Sequence, residues 1–474
     1  MTRRCFVRRS VFAGAGLALA RPFARVLGAN DEIHLAVVGI NGRGGDHIEE
    51  FRKVEGVRIA ALCDVDRTVL ERRAKDFADR NEKVETYADI RKLLEDKNID
   101  AISVATTNHW HSLATVWACQ AGKDVYVEKP CSHNIFEGRQ CVEAARKYRR
   151  IVQHGTQGRS SAATARQIGA IQSGKYGKLL VSKGYCCKPR WSIGFKPYQD
   201  PPKALDFNLW LGPAPEQPYH GNLVHYNWHW FWDFGNGDVG NQGVHQMDIA
   251  RWAIKNATLP DTVISLGGRW VEGPNHKDQG QTPNMLLSIY DFGETLLVFE
   301  TRGLVGKDKA YPAKVTNEFY LEEGVIKDDK FYPRGKDQGE PLAAVEYPRG
   351  PGGHMANFFH GVRNRQFEVL NADILEGHYS SALCHLGNIS YRLGWELPFA
   401  TETKPLGNSE LISQSVMTLL ENTKAIGVDP AKSTYQLGPK LHFNARTEKF
   451  VDNAAADVML TRPYREPFVV PAKV

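Results

Sequence analysis

Two side chains in this sequence stand where they could support acid–base chemistry. Lys129 follows the apolar run 125–127, which has the length and composition of a buried strand. An ammonium at the carboxyl end of a parallel strand can hydrogen-bond a substrate hydroxyl and stabilise a developing alkoxide. His245 and Asp248 lie three positions apart in a predicted helix, so they share one face. We predict catalytic roles for Lys129 and His245, with the histidine as a general base that Asp248 orients.

A glycine-rich turn follows the first predicted strand and could hold a phosphate group. Against the pattern G-x-G-x-x-G, Gly39 and Gly44 match, and Asn41 replaces the middle glycine. Asparagine tolerates left-handed backbone better than most residues, so the turn stays feasible. Small residues let the backbone approach a pyrophosphate at a helix N-terminus. The turn therefore predicts a dinucleotide site made by Gly39, Asn41, Gly42, Arg43 and Gly44.

An acidic residue, Asp64, ends the second predicted strand. Along the chain, the separation between Gly39 and Asp64 is slightly longer than the ~20 residues usual between a glycine turn and such an acid. A carboxylate in this place accepts hydrogen bonds from an adenosine ribose, which favours NAD. Arg67 lies just beyond and could instead meet a 2′-phosphate, so NADP stays open.

The elements that must position these residues alternate between strand and helix. Between residues 33 and 154, short apolar runs such as IHLAVVGI and IDAISVAT are separated by segments of helical spacing. Such interleaving is typical of a parallel, doubly wound sheet with helices on both faces. The first part of the chain is therefore predicted to be an α/β Rossmann domain.

An ordered set of motifs connects the chain to a known family. The triplet Glu128-Lys129-Pro130 comes after the glycine turn and after TTNHWH at 106–111, and before a histidine-bearing helix. In this order the motifs resemble the Gfo/Idh/MocA oxidoreductase family. The resemblance implies a Rossmann domain followed by an α+β domain with an open, mostly antiparallel sheet, often with a cis Lys–Pro bond. It also implies hydride transfer between a nicotinamide and a sugar or cyclitol carbon.

The same resemblance assigns roles to residues around the predicted cofactor. It places Thr106, Asn108 and His111 of the TTNHWH motif beside the dinucleotide. Glu128 is expected to contact the cofactor as well. Gln157, which follows the sixth predicted strand, matches a position that often reaches the nicotinamide.

The chain departs from the family in its second domain. Relatives commonly carry D-x-x-x-H in the histidine-bearing helix, with the histidine as proton shuttle. Here Asn241 occupies the position of the acid and His245 that of the histidine. An amide can hold an imidazole or a sugar but cannot carry charge, which puts acid-assisted deprotonation in doubt.

Aromatic residues crowd the segment 225–238 just before that helix. Aromatic faces stack on sugar rings, but they also fill cores, and both interpretations stay open here. His225 and His229 are four positions apart, yet no third ligand is evident, so we predict no metal site. Arg190 and Trp191 could border a substrate pocket, and Asn241 and Asp248 come from the histidine-bearing helix. With two residues of the aromatic segment, the predicted substrate-binding residues are Arg190, Trp191, His229, Trp230, Asn241 and Asp248.

The N-terminus resembles an export signal. Arg3-Arg4 and the apolar run 11–20 fit a twin-arginine signal. Because this signal directs the export of folded proteins, we predict a periplasmic protein that leaves the cytoplasm with its cofactor already bound. We predict a signal at 1–30, a Rossmann domain at 31–156, a substrate domain at 157–400 and a helix with a wrapping tail at 401–474. A net charge of +6 without a basic, aromatic stretch argues against nucleic-acid binding, and beyond the signal no run is long enough to span a membrane.

These observations predict an NAD(P)-dependent oxidoreductase that acts on a sugar, glycoside or cyclitol hydroxyl. Its cofactor would be tightly bound and recycled within the site, because little free dinucleotide exists outside the cytoplasm. Two alternatives stay open. The chain could be a redox-neutral NAD-dependent glycoside hydrolase, as some members of the family are, or a non-catalytic carbohydrate-binding protein. The family's open sheet also implies a homo-oligomer.

Overall fold

The structure of the chain is a computed structural model that describes residues 32–271, 277–305, 313–399, 406 and 409–474. The predicted twin-arginine signal lies outside the described residues. Two sheets organise the remainder, one parallel and one mixed. The predicted domain boundaries at 156 and 400 stay predictions.

The first sheet is a Rossmann sheet, as predicted. Its six parallel strands have the order β3-β2-β1-β4-β5-β6, so the direction of strand succession reverses between β1 and β4. The carboxyl ends of the strands on either side of that reversal form a crevice where such sheets bind ligands. The strands are β1 (Ile33–Val38), β2 (Val57–Cys63), β3 (Glu85–Tyr87), β4 (Ala101–Val104), β5 (Asp124–Val127) and β6 (Val152–His154).

Helices cover both faces of this sheet, which explains why its strands are continuously apolar. Within β1, Leu35 and Val37 pack in one core cluster, while Ala36 and Val38 pack in another. The covering helices are α1 (Arg43–Phe51), α2 (Arg67–Ala78), α3 (Ile90–Glu95), α4 (Asn108–Gln120) and α5 (Ile135–Lys147). Two side-chain caps place helix starts at the binding edge, since Asp66 accepts from the backbone N–H of Thr68 and Asp89 from that of Arg91.

The second sheet is mixed and mostly antiparallel, as the family resemblance implied. Within the described residues it has twelve strands, among which β7 and β10 form a parallel pair. Its strands are β7 (Leu179–Cys187), β8 (Thr262–Gly268), β9 (Met285–Asp291), β10 (Leu296–Arg302), β11 (Lys314–Leu321), β12 (Gly324–Lys327), β13 (Lys330–Pro333), β14 (Glu340–Pro341), β15 (Trp395–Pro398), β16 (Thr434–Leu437), β17 (Leu441–Asn444) and β18 (Lys449–Phe450).

The helices of this domain divide between the two sheet faces and the domain boundary. Val244 and Leu383 pack with Leu286 on one face, whereas Ile412 packs with Leu287 on the other. The helices are α6 (Ala162–Gln172), α7 (Phe207–Leu211), α8 (Val244–Ala253), α9 (His354–Asn364), α10 (Ile374–Arg392), α11 (Glu410–Ala425) and α12 (Ala454–Val458). Within the described ranges, no helix combines the length and hydrophobicity needed to cross a membrane.

The last residues return to the Rossmann domain. Phe468, Val470 and Val474 join the core cluster formed by α4 and α5. The ring of Phe468 lies 5.6 Å from that of Trp110 in an edge-on contact. The tail therefore packs against α4, which also borders the crevice.

Candidate functional site

A cavity of about 780 Å³ lies between the carboxyl ends of the Rossmann strands and the second domain. Residues from both domains line it, so neither domain forms the site alone. Fourteen of the residues that we predicted from sequence border this one space: Gly39, Asn41, Gly42, Arg43, Asp64, Thr106, Asn108, His111, Glu128, Lys129, Gln157, His229, Asn241 and His245. The predicted residues Gly44, Arg190, Trp191, Trp230 and Asp248 do not border it.

Glycine is required at two points of the phosphate-type turn. Gly39 has a φ of +79°, and a Cβ on it would lie 2.8 Å from the carbonyl oxygen of Ala105. Gly44 lies behind the turn, where a Cβ would come within 1.8 Å of the Gly39 carbonyl oxygen. Gly44 thus lets α1 begin against the strand, although it does not face the cavity. Asn41 needs no left-handed backbone, and its side-chain oxygen accepts a hydrogen bond from Arg72 at 2.9 Å.

Asp64 is held in place by the backbone around it. Its carboxylate accepts hydrogen bonds from the N–H groups of Ile40 at 2.9 Å and Asp66 at 3.0 Å. Burial raises the pKa of Asp64, and these two backbone donors oppose that rise. The residue therefore joins the glycine turn to the end of β2 and presents its carboxylate to the cavity.

Glu128 sits on the floor of the cavity in a network of cationic and imidazole donors. Its carboxylate lies 2.9 Å from Nε of Arg43 and 3.0 Å from Nε2 of His47. Burial by itself would raise the pKa of Glu128, but the His47 hydrogen bond and the charges of Lys129 and Arg43 hold the pKa well below its usual range. An ionised Glu128 thus connects α1 to the end of β5.

Lys129 points across the domain boundary. Its ammonium donates to the backbone carbonyl of Asn241 at 2.5 Å, and burial lowers its pKa. That carbonyl belongs to a π-helical turn, Val239–Gly243, that precedes α8. The Lys129–Pro130 bond is cis, as the family resemblance implied. His111 lies 2.6 Å from the Pro130 carbonyl oxygen and 3.0 Å from that of Thr106, which ties the two motifs together.

His245 faces the same space as Lys129 and is neutral. Burial, followed by the charge of Lys129, lowers the pKa of His245 to about 3. Our prediction that Asp248 orients it is wrong. The Asp248 carboxylate accepts hydrogen bonds from Arg159 Nε at 2.9 Å and from Ser380 Oγ at 2.6 Å. Asp248 therefore belongs to a buried structural ion pair outside the cavity.

Three of the predicted pocket residues also have structural roles. Arg190 Nε lies 2.9 Å from the Asp238 carboxylate, and its guanidinium sits over the Trp230 ring at 5.4 Å. Trp230 is buried, and Trp191 packs against the core cluster beneath α11. Of the aromatic segment, His229 does border the cavity, stacked on Trp228 with ring centroids 3.5 Å apart. The segment is thus mixed, part core and part cavity wall.

Several residues that border the cavity were not predicted from the sequence. Tyr226 and Trp228 border the cavity, and the aromatic composition of their segment was the one signal for them. At the Asp64 end, Leu205, Leu209 and Trp210 form a wall that no sequence pattern indicated. Leu209 and Trp210 belong to α7. This wall depends on how the second domain folds back over the first.

Comparisons with known protein families agree with this fold and this site. Residues 33–156 match the sequence model described as "Oxidoreductase family, NAD-binding Rossmann fold", and residues 174–278 match "Oxidoreductase family, C-terminal alpha/beta domain". The chain belongs to the Gfo/Idh/MocA family. The resemblance drawn from its motifs is confirmed, and the cofactor of this family domain is NAD.

Individual relatives are more distant. A glycosyl hydrolase family 109 protein of Shewanella putrefaciens is 27% identical over 172 residues, which cover 34% of this chain and 37% of that protein. WlbA dehydrogenase of Bordetella pertussis, solved with NADH and UDP-GlcNAcA, has a TM-score of 0.53 at 17% identity, covering 76% of this chain and 97% of that one. The myo-inositol dehydrogenase of Lactobacillus casei, solved with NAD(H) and myo-inositol, has a TM-score of 0.52 at 16% identity, covering 76% and 95%. At such identities the solved structures establish the shared fold.

The residues present in this Gfo/Idh/MocA chain fit NAD. In the turn after β1, a Cβ at Gly39 would clash with the Ala105 backbone and a Cβ at Gly44 with the Gly39 carbonyl, so only glycine allows this close turn. Helix α1 begins directly after it. Free N–H groups at such a helix start favour a pyrophosphate. The carboxylate of Asp64 is available to ribose hydroxyls at the end of β2, and Glu128 and Gln157 border the deeper part of the cavity.

Buried histidines make the stability of this family member depend on pH. Burial lowers the pKa of His109 and of His385 to about 3. In the unfolded chain each returns to about 6.5, so below that pH the unfolded state binds more protons than the folded state. Each can then remove up to ~1.4 kcal/mol of stability per pH unit between about pH 6.5 and pH 3. We expect the free energy of unfolding, measured by urea titration, to fall as the pH drops below about 6.5.

Single substitutions separate this effect from general acid denaturation. His385→Gln should flatten the dependence of the unfolding free energy on pH, because it removes one of the groups that titrate. His442→Gln is the matched control, since His442 is exposed on β17 and should leave the slope unchanged. Equal slopes for wild type and His385→Gln would contradict the prediction.

Proposed function

We propose that this chain is an NAD-dependent oxidoreductase that acts on a hydroxyl of a sugar, glycoside or cyclitol and keeps its cofactor bound between turnovers. The observation that carries the proposal is the shared cavity. Lys129 and His245, from different domains, border the same space as Asp64 and the glycine turn. A reacting hydroxyl in that space can meet both a cation and a neutral base.

The two residues have complementary tasks. The Lys129 ammonium donates a hydrogen bond to the substrate hydroxyl and stabilises negative charge on its oxygen as the O–H bond breaks. Burial lowers the pKa of His245, so its imidazole is unprotonated over the physiological pH range and can accept the proton as a weak base. The side-chain amide of Asn241 can hydrogen-bond a neighbouring sugar hydroxyl but cannot take the proton. Bound NAD supplies the two-electron acceptor.

Retention of the cofactor is supported by contacts at the Asp64 end of the cavity. There the second domain pairs with the loop after β2: Arg67 N–H donates to Ala204 at 2.9 Å and Asp206 N–H to Val65 at 2.9 Å. A contact of 3.1 Å between His225 Nε2 and the Asp66 carboxylate adds to this closure. A dinucleotide in the cavity would have to break these contacts to leave on this side.

Export in the folded state would suit such an enzyme. We propose that the twin-arginine motif directs the chain to the periplasm with the cofactor already loaded, since the N-terminal residues match that signal. Assembly into a homo-oligomer stays a prediction.

The test is to purify the protein without added cofactor, denature it, and identify any released nucleotide by mass spectrometry. We expect NAD or NADH in near-equimolar amount. Adding glycosides, sugars and cyclitols to the native protein should then produce the NADH absorbance band with at least one of them. Protein that purifies without dinucleotide, does not bind it, and oxidises none of these compounds would refute the proposal.

A redox-neutral glycoside hydrolase is the second candidate. The name of the Shewanella relatives favours it, although the match spans little more than a third of their length. A retained cofactor serves this reaction equally well, because oxidation and reduction would alternate on one substrate. Product analysis distinguishes the two: a keto-sugar indicates net oxidation, and a released aglycone with no net redox change indicates hydrolysis.

A further inference from the structure

Exposed aromatic rings lie on two loops of the second domain, one of which borders the cavity. Tyr226 borders the cavity although its side chain is 55% exposed. Phe195 is 55% exposed and Tyr198 is 69% exposed on the neighbouring loop. Single exposed aromatic residues are common, but three on adjacent loops next to a binding cavity call for a physical reason.

Hydrogen bonds hold the Phe195 loop rigidly. The carbonyl of Gly194 accepts from the N–H of Gln279 at 3.0 Å and from the Asn222 side chain at 3.3 Å. The Gln279 side chain also bonds the backbone of Lys196 in both directions, at 2.9 Å each. A ring on such a loop loses little conformational freedom when a ligand covers it.

The same network joins this loop to the one that carries Tyr226. The buried Asn222 donates to Gln279 at 2.7 Å, and its oxygen accepts from the side chain of Asn227 at 3.3 Å. Asn227 directly follows Tyr226 in the chain. The exposed rings of Phe195 and Tyr226 are therefore parts of one hydrogen-bonded surface that continues outward from the cavity.

Polar groups accompany these rings. The ammonium of Lys277 lies 5.9 Å from the centre of the Phe195 ring, and the His220 ring lies 5.8 Å from that of Tyr198. A pyranose has the matching character, because its C–H face stacks on an aromatic ring while its hydroxyl rim needs hydrogen-bond partners. A purely apolar ligand would leave the Lys277 ammonium without a partner, whereas the His220 ring is itself buried and packs against Tyr198.

We propose that Phe195, Tyr198 and Tyr226 form a second sugar subsite, which binds the pyranose ring attached to the ring that reacts. The inference rests on the proposed function, since the reacting sugar must occupy the cavity beside Lys129 and His245. It narrows the proposed substrate class from sugars, glycosides and cyclitols to glycosides that carry at least a second sugar ring.

The test compares ligands with and without that second ring. The disaccharides are cellobiose, maltose, lactose and melibiose. Each is compared with the methyl glycoside of its non-reducing sugar, which has the same anomeric configuration but lacks the second ring. The dissociation constants of both ligands are measured by titration calorimetry. At least one disaccharide should bind wild type more tightly than its partner. Phe195→Ala and Tyr198→Ala should weaken binding of that disaccharide by about fivefold to tenfold, the scale of a lost ring contact, and leave the methyl glycoside unchanged.

Two controls make the result specific. Trp395→Ala removes an equally exposed ring, 54% exposed, from β15 at the edge of the second sheet and should change neither constant. Phe195→Tyr keeps the ring and should keep the affinity for the disaccharide. The subsite is refuted if no disaccharide binds better than its methyl glycoside, or if Phe195→Ala weakens both ligands equally. Because calorimetry needs no turnover, either outcome is distinguishable from a failure to oxidise any sugar.

Discussion

Lys129→Met is expected to lower the turnover number about 10²- to 10³-fold, the usual cost of removing one donor that stabilises an oxyanion. The Lys129 ammonium borders the cavity and donates to the Asn241 carbonyl, and methionine keeps most of the side-chain volume without the charge. The dinucleotide should stay bound, because Asp64 and the glycine turn are untouched. The measurement is the rate of NADH formation with a saturating substrate, together with the nucleotide content of the denatured protein.

Lys188→Met is the matched control for this experiment. The ammonium of Lys188 donates to the side chain of Gln242 at 2.6 Å, close to the same π-helical turn, but it does not border the cavity. Its loss should change turnover by no more than about twofold, since it contacts no reacting group. A Lys129→Met enzyme with near-normal turnover would contradict the role of Lys129.

Gly44→Ala is expected to destabilise the Rossmann domain by about 3 kcal/mol, at the upper end of the usual cost of overpacking. The added methyl group would lie 1.8 Å from the carbonyl oxygen of Gly39, a backbone atom that cannot rotate away. Either α1 or the end of β1 must move, and both shape the phosphate turn. We expect a lower urea midpoint and protein that purifies with much less than one equivalent of dinucleotide.

Gly42→Ala tests whether the effect comes from that contact and not from losing any glycine in the turn. Nothing lies within 4 Å of a Cβ at Gly42, although its backbone, with φ −90° and ψ −107°, lies outside the regions that L-residues prefer. The free energy of unfolding should fall by about 1 kcal/mol in Gly42→Ala, the lower end of the cost of strained backbone and well below the loss expected for Gly44→Ala. Equal destabilisation by the two substitutions would show that the contact with Gly39 is not the cause.

The Rossmann half of the molecule was predictable because its chemistry is local. Gly39, Gly44 and Asp64 each lie within a few residues of a strand end, where periodicity locates them. Lys129 follows β5 in the same way. Once the strands are parallel, their carboxyl ends meet at one edge, so the sequence alone brings these side chains to the same crevice.

The second domain was harder to predict, and Asp248 shows why. Helical spacing correctly put His245 and Asp248 near one another, but it could not say which direction that face points. Arg159, which is far away in sequence, forms a buried ion pair with the Asp248 carboxylate, whereas His245 borders the cavity. A buried charge requires a partner, and only the packing of α8 against neighbouring segments decides which one it finds.

The same distinction holds for the whole protein. By itself the sequence determined the doubly wound sheet, the family and the residues at the strand ends, because each rests on short-range periodicity and on motifs in order. The tertiary structure alone decided that Arg190, Trp191 and Trp230 serve packing, and that Leu205, Leu209 and Trp210 close the cavity beside Asp64. Those outcomes depend on contacts between segments that are far apart along the chain, such as the hydrogen bond from the Trp110 indole to the Leu209 carbonyl, 99 residues away. No local pattern encodes which surfaces meet when two domains fold against each other.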